Sequence, residues 1–586
     1  MKNYIKILTV ILVLVSAVSC EKFLNRPTED SLSNATYYQN DAQVEQGVNY
    51  LYSSPWYDMI RFYAYGGETM CGNVYMGQSP YLTLTVNGTD QDLMKMSYSC
   101  WSVNGHCNTV IENILNSTGN ASKEVKERAI GETLVWKAMA YFFLVRTFGD
   151  VPIIHDNSAI IKEGTYNEVF KVEKSDVYDY ILMTLEKALQ FLPKNAYIGK
   201  YNRIDYYAAE ALMAKVYLTR AGVSGTLDNN DLTKARDLAK DVIDNSGRSL
   251  TPVYSDVFRL APALFQQTGE CLISWLWTSS PQRWTSQNSI QSDVGMVGFD
   301  EFGDLWGDWK GPSVNLQDDF GVSALDNPQA RVDKDDRRKA TMMMFGDQYS
   351  YFWQDMGGFD FYRFEYDPDY SPNATSGAFG SGSGANYAKH LYGNGTDHVS
   401  ALGITADYMY NALPTHLLRL SDLYLIYAEA CFLTGNTGEA LTYVNKVRER
   451  AHAEPFESID FEKIWKERRL ELALEGDRWY DLVRRSYYDV DAVIAELKAQ
   501  RRSTYAYLDD IYKAFVCDEK GKYVGPGANP WDASKAVYNA NEELTDVKPS
   551  MFTMPFPTED VVLNPNVAST AQPIHVDVRE TYTYDF

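Results

Sequence analysis

A chain of 586 residues is long enough for several domains or one large unit, and at 45% hydrophobic it can bury a large core. Its formal charge of −24 is spread without a long basic run, which argues against nucleic acid and anionic lipid as partners. Aromatics make up 14%, with 43 Tyr and 12 Trp; such rings join an apolar face to a polar handle and suit interfaces and sugar-like ligands, although most are expected in the core.

Residues 1–19 read as a signal, not as fold. Lys2 and Lys6 precede an apolar run, Ile7–Val15, that is too short to span a bilayer, and Ser16-Ala17-Val18-Ser19 leads into Cys20. Small residues at −3 and −1 with Cys at +1 resemble a bacterial lipoprotein signal, so lipid on Cys20 is expected, with ordinary secretion as the alternative. Residues 20–40 form a polar tether. The six remaining cysteines, Cys71, Cys100, Cys107, Cys271, Cys431 and Cys517, show neither CxxC nor a Cys/His spacing for zinc and read as scattered buried thiols.

Residues 41–249 read as a first helical block. A helix from about Asp41 to Leu51 is followed by a ring-rich loop segment, 55–99, broken by Gly66-Gly67, Gly72, Gly77 and Gly88. Helices are then expected near Trp101–Leu115, Lys123–Phe148, Ser175–Leu192, Asp205–Arg220 and Leu232–Asn245. The second carries an apolar stripe of Leu134, Tyr141, Val145 and Phe148 and stops at Gly149-Asp150-Val151-Pro152. Residues 250–413 form an irregular inserted lobe rich in Gly, Pro, Asp and Asn; ECLISWLWTS reads as a buried strand, and 371–386 as a Gly/Ser-rich loop.

Helical pattern resumes in 414–485. Leu417–Thr434 is stopped by Gly435-Asn436, a second helix begins after Gly438, and a third spans Asp460–Arg485. On the third, Phe461, Trp465, Leu472, Trp479 and Leu482 share a face with Arg468 and Glu475. A buried charge needs a partner, so both are expected to be at least half buried and hydrogen-bonded. Residues 486–586 are loop-rich, with one helix near Val490–Arg501. The pair at 417–450 has an echo in Tyr206–Gly222 and DLTKARDLAKDVIDN: Ala211, Tyr217, Gly222, Ala235 and Ala239 answer to Ala430, Gly435 and Ala440. The two copies resemble tetratricopeptide repeats, in which small residues let paired helices approach closely.

Five stretches in order resemble the SusD/RagB family of outer-membrane nutrient-binding lipoproteins: FLNRPTEDSLS after Cys20, WKAMAYFFLVRTFGDVPII, LPTHLLRLSDLYLIYAEA, IWKERRLELALEGDRWYDLVRR and MPFPTEDVVLNP. The resemblance runs from Cys20 to about Pro573. The chain departs from the family's closing Asn-Pro-Gly-Tyr, carrying STAQPIHVDV instead, and its acidic stretch after the lipid Cys is thin. The resemblance implies a mostly α fold, a tetratricopeptide-like helical-repeat scaffold interrupted by an irregular loop-rich lobe with minor β. It also implies a place on the outer face of the outer membrane of Bacteroidota, binding of oligosaccharides or other nutrients beside a TonB-dependent transporter of the SusC type, and no catalysis.

Two rival classes stay open, a secreted glycan hydrolase and a protein-binding repeat adaptor. A hydrolase needs two facing carboxylates; Asp304 with Asp308, Glu365 with Asp367 and Asp369, and Asp333 to Asp336 offer pairs of the kind that 78 acids scatter through loops. GxSxG, P-loop and HExxH motifs are absent, the seven His are scattered, and neither metal nor cofactor is implied. Sugar binding needs exposed rings for the C–H face and amides or charges for the hydroxyls. That selects Tyr65, Tyr75 and Tyr81 with Asn73 and Gln78 from the first loop segment, and Trp284, Trp306 and Trp309 from the lobe. The two groups make one groove only if the lobe folds back over the N-terminal loops.

Overall fold

The structure, a computed structural model, describes residues 37–194, 203–260, 269–278, 284–300, 310–371, 381–404, 406 and 411–586. It is mostly helical, as the sequence implies. Helices α1 (Asp41–Asn49), α2 (Gln91–Asn116), α3 (Lys123–Phe148), α4 (Lys174–Leu189), α5 (Tyr206–Arg220) and α6 (Asn229–Asn245) form the first block. Helices α7 (Leu420–Leu433) and α8 (Thr437–Arg450) form the second pair. The two echoing pairs lie side by side, with α6 packed on α7. Ala208, Ala209, Ala211, Ala235, Ala428, Ala430 and Ala440 are all fully buried, as close helix approach demands.

Helix α3 corrects the expected one-sided stripe. Every residue from Ala129 to Phe148 is buried, because α1, α2 and α4 all pack against it; a helix enclosed on all sides has no polar face to show. Ser122 caps its start by accepting from the Val125 amide, and Gly149 at φ +71° ends it where expected. Helix α2 starts at Gln91, ten residues earlier than the sequence suggests. Asp90 caps it, and buried Leu93, Met96 and Cys100 hold a turn that Ser and Tyr would not favour alone.

The described strands are two to five residues long and pair as five two-stranded ribbons. β1 (Val74–Tyr75) pairs with β3 (Gly311–Pro312), and β2 (Cys271–Trp275) with β8 (Thr415–Arg419). The lobe and its C-terminal neighbour add β4 (Met342–Met344) with β7 (Ala385–Tyr387), β5 (Gln348–Tyr349) with β6 (Phe359–Asp360), and β9 (Tyr505–Ala506) with β10 (Val537–Tyr538). The expected strand in ECLISWLWTS is β2. Its partner β8 occupies the start of the expected Leu417 helix, so α7 begins only at Leu420. One hydrophobic core runs through the helices and much of the lobe. A smaller one joins the lobe to residues after 486, where Phe345 stacks on Tyr512 with ring centroids 4.2 Å apart.

The expected single helix over Asp460–Arg485 is two, α9 (Phe461–Leu472) and α10 (Arg478–Ser486). Leu474 and Gly476 at φ +66° and +73° turn the chain between them. A Cβ on Gly476 would stand 2.2 Å from the Tyr63 ring, so the turn is also a close approach. Arg468 and Glu475 are nonetheless 1% and 6% exposed, each with ionic partners. Their burial matches expectation, but they do not share one helical face.

These two residues belong to buried ionic assemblies. Arg419, at the end of β8, donates to Glu270 and Glu471 at 2.7 Å and to Glu475 at 2.6 Å. Arg450 on α8 reaches Glu270 at 2.8 Å, and Arg337 in the lobe reaches Glu467 at 2.6 Å and Glu471 at 3.1 Å. Lys389, also in the lobe, donates to Glu475 at 2.9 Å and to the Ala473 carbonyl at 2.7 Å. Burial alone would push the Glu475 carboxyl up, but Arg419 and Lys389 outweigh it and hold it at about 2. A second assembly ties the helices together: Arg468 to Asp422 and Asp481, Lys215 to Asp422 and Asp477, Arg146 to Asp477, and Arg484 to Glu429. The charges of the Arg-rich and Glu-Arg stretches are thus internal bolts between the repeats and the lobe.

Candidate functional site

The lobe folds back onto the N-terminal segment. β1 and β3 run antiparallel, with Val74 opposite Pro312 and Tyr75 opposite Gly311. The Ser313 amide donates to the Asn73 carbonyl at 2.8 Å and its hydroxyl to the Gly72 carbonyl at 2.6 Å. A Cβ on Gly311 would meet the Ala385 carbonyl at 2.1 Å, so only Gly lets β3 pass between β1 and β7. The ammonium of Lys310 lies 4.3 Å from the Tyr65 ring centroid and donates to the Asp293 carbonyl at 3.0 Å. Arg61 meets the Asp293 carboxylate at 3.0 Å. Burial pulls Lys310 down to about 8 and pushes Asp293 up, the latter against Arg61 and Lys310.

Not all of the nominated side chains reach the surface of this ribbon. Tyr65 and Tyr81 are 3% and 2% exposed and Asn73 is fully buried, which corrects their reading as exposed platforms. The segment is folded inward by a 3-10 turn at Ser54–Met59, a π-turn at Phe62–Gly66 and a short helix at Gly67–Met70. The polar groups are then used internally. The Tyr81 hydroxyl donates to Asp90. The Asn73 amide donates to Glu68 at 2.7 Å, and its carbonyl accepts from Arg469 at 2.7 Å. Glu68 also accepts from the Gly476 amide at 2.7 Å, so the floor of the ribbon rests on the α9–α10 turn. Burial pushes Glu68 up to about 7, against the donors Asn73, Gly476 and Leu474.

Tyr75 is half-buried, its hydroxyl near Glu542 and Thr504, and Gln78 is exposed. Burial and the Glu542 carboxylate push the Tyr75 hydroxyl up to about 12. Trp306 and Trp309 lie outside the described residues. Of Trp284 only the backbone is described, in the 3-10 turn Trp284–Ser286. The sequence reading missed a third contributor, the segment after residue 500. Arg501 lies 4.5 Å from the Tyr538 ring centroid and pairs with Asp318 at 3.1 Å. RRSTYAY is ring-rich and follows a helix, the same signal that 55–99 carries, although it lies in the loop-rich tail.

Four of the candidate acids face an arginine or a His. Asp333 pairs with Arg338, Asp335 with Arg337 at 2.7 Å, Asp336 with His452 at 2.6 Å and Asp367 with Arg363 at 2.8 Å. Asp304 and Asp308 lie outside the described residues. Among the described residues, one group has the ligand atoms to hold a metal, Glu173, Asp176 and His575. Asp176 there already accepts from His575 at 2.9 Å and from the Val576 amide at 2.8 Å. His575 belongs to the STAQPIHVDV departure, which docks on the start of α4; a separation of 399 residues hides such a group from any spacing rule.

None of the six cysteines after Cys20 forms a disulfide, and all are buried. No described helix is long and apolar enough to cross a membrane.

Comparison with known proteins completes the picture. Residues 282–572 match the model of the SusD family, and residues 25–218 match a model described as starch-binding associating with outer membrane. A SusD-like protein of Bacteroides ovatus is 29% identical over 581 residues, covering 96% of this chain and 97% of that one. A SusD-like protein of Formosa agariphila is 24% identical, covering 83% and 91%. A crystal structure with xylogluco-oligosaccharide superposes with a TM-score of 0.72 at 25% identity, covering 91% of this chain and 99% of that one. A laminarin-binding SusD-like protein shares the fold with a TM-score of 0.61 at 19% identity, over 90% and 98%. Two family models in tandem, a relative matched nearly end to end and the shared helical-repeat fold agree: the chain belongs to the SusD family.

Proposed function

We propose that this protein is a cell-surface lipoprotein of the outer membrane, held by lipid on Cys20, that captures oligosaccharides beside the β1–β3 ribbon and passes them to a TonB-dependent transporter of the SusC type. It acts by binding, without turnover. The observation that carries the reading is the pairing of Tyr75 with Gly311. Gly311 follows closely in sequence on the segment 284–309, which carries Trp284, Trp306 and Trp309, and Gln78 lies three residues after Tyr75. The structure solved with xylogluco-oligosaccharide, similar over nearly its whole length, supports a saccharide as the ligand class. The outer-membrane association in the family description supports the location.

Isothermal titration with candidate oligosaccharides, beside a thermal melt, tests the site. Trp306→Ala and Trp309→Ala should weaken binding with little change in melting temperature, since exposed rings contribute little to a core. Loss of several degrees with unaltered affinity would place those rings in the core and the site elsewhere. Cys20→Ala should release the protein from the outer-membrane fraction; if the variant still fractionates there, the anchor is not this residue.

A further inference from the structure

The charges around the ribbon bear on which saccharides it accepts, an inference that rests on the glycan-binding reading above. Among the described residues near it, Arg61, Arg501, Lys310 and Lys95 each have a carboxylate beside them, while the buried Arg502 donates to the Met70, Thr69 and Leu82 carbonyls. Arg61 lies 3.0 Å from Asp293, and Arg501 lies 3.1 Å from Asp318. Lys310 is buried with its ammonium on the Asp293 carbonyl and within the field of that carboxylate. Lys95, exposed on α2, stands one turn from Asp92 on the same helix. Against these four stand five carboxylates: Asp293, Asp318, Asp92, Asp90 beneath Tyr81, and Glu542 on the Tyr75 hydroxyl.

An anionic sugar is held by cations that are not already neutralised, through charge-assisted hydrogen bonds with planar or point-charge geometry. Here a uronate or sulfate would compete with a resident carboxylate for each of these four cations, Arg502 is enclosed and spent on carbonyls, and the whole chain, at −24, adds a field of the same sign. A hydroxyl pays no such penalty: it both donates and accepts, and carboxylates and paired guanidinium groups can meet it. We propose that the ribbon face selects uncharged oligosaccharides and rejects those bearing uronate or sulfate groups.

The test is affinity electrophoresis and isothermal titration of the full mature chain at pH 7 against two panels. The first holds neutral polysaccharides and their oligosaccharides, xyloglucan and laminarin among them. The second holds polygalacturonate, alginate and chondroitin sulfate. The expected result is binding within the neutral panel, at least about tenfold tighter than to any anionic polymer. Its dissociation constant should change less than about twofold between 20 and 500 mM NaCl, because screening acts on charge and the neutral ligand has none. An anionic polymer that binds as tightly, with affinity falling as salt rises, overturns the proposal and leaves the glycan-binding reading standing. Retardation by no polysaccharide of either panel overturns both.

Discussion

The junction around Arg419 and the ribbon around Tyr75 both join segments that are distant in the chain, and they do so with different materials. At the junction, one guanidinium is shared by Glu270, Glu471 and Glu475, all buried. At the ribbon, two pairs of backbone residues meet, leaving a half-buried ring and an exposed amide at the edge. Charges taken out of water must be matched by opposite charges, which ties the junction to one geometry. A binding face must keep polar groups available, so it is built from backbone pairing and side chains still touching solvent. The two are coupled: Arg469 of α9 and Glu68 hold Asn73 directly beneath the ribbon, and Glu68 takes the Gly476 amide of the α9–α10 turn. The rigid junction thereby fixes the height of the face above it.

The largest effect is expected from breaking the junction. Arg419→Met removes the cation shared by three buried carboxylates, and stability should fall by about 3–5 kcal/mol in urea unfolding, as for other buried pairs deprived of one partner. A loss below about 1 kcal/mol would mean that Arg337, Arg450 and Lys389 suffice and that Arg419 is not the centre. Acid sharpens the same comparison. The Glu475 carboxyl sits at about 2 in the folded state, against an ordinary value of 4.5. A depressed carboxyl stabilises fully above its unfolded value and loses that contribution as pH falls through its folded one. The native protein should therefore lose stability between about pH 4.5 and 2, and Glu475→Gln, already less stable at neutral pH, should show a flatter decline over that window. Identical slopes for both proteins would assign the acid lability to other carboxylates.

The same contrast explains what the sequence could and could not reveal. Arg468 and Glu475 stood among apolar residues, and a charge in such company predicts a buried partner whether the helix is whole or broken. The break itself was hidden, because ALEGD contains a single Gly in an otherwise helical run, and what holds the turn is distant in sequence: the amide of the left-handed Leu474 donates to Glu68, and Gly476 sits against the Tyr63 ring. The end of α3 at Gly149 and the small-residue pairing of α5–α6 and α7–α8 are local rules, and they were legible. Tyr65 and Tyr81 were not. Glycines around them read as loop breakers, yet here Gly66 sits 3.2 Å, through a would-be Cβ, from the Tyr81 ring and lets the rings pack inward. Two-residue strands such as β1 and β3 carry no period at all. That they meet followed only from the family resemblance, and the backbone pairing now supplies the physical reason.

The smallest expected effect separates the two kinds of ring within one short stretch. Tyr75 and Tyr81 are six residues apart, and the sequence treats them alike. The structure gives Tyr81 a bond to Asp90 and a place against Phe62, while Tyr75 keeps part of its face in solvent beside Gln78. Tyr81→Ala should therefore cost about 3–5 kcal/mol of stability, as for other large interior rings, and lower the melting temperature by several degrees. Tyr75→Ala should leave the melt within about one or two degrees. It should instead weaken saccharide binding by about 0.5–1.5 kcal/mol, the contribution of one stacked ring, or roughly two- to tenfold in dissociation constant. Tyr75→Phe keeps the ring and removes the hydroxyl near Glu542, so it distinguishes stacking from hydroxyl chemistry: retention of most of the affinity assigns the contribution to the ring. If Tyr75→Ala instead destabilises as Tyr81→Ala does and binds saccharide normally, the ribbon is scaffold throughout, and the face that meets the sugar must be built from the lobe alone.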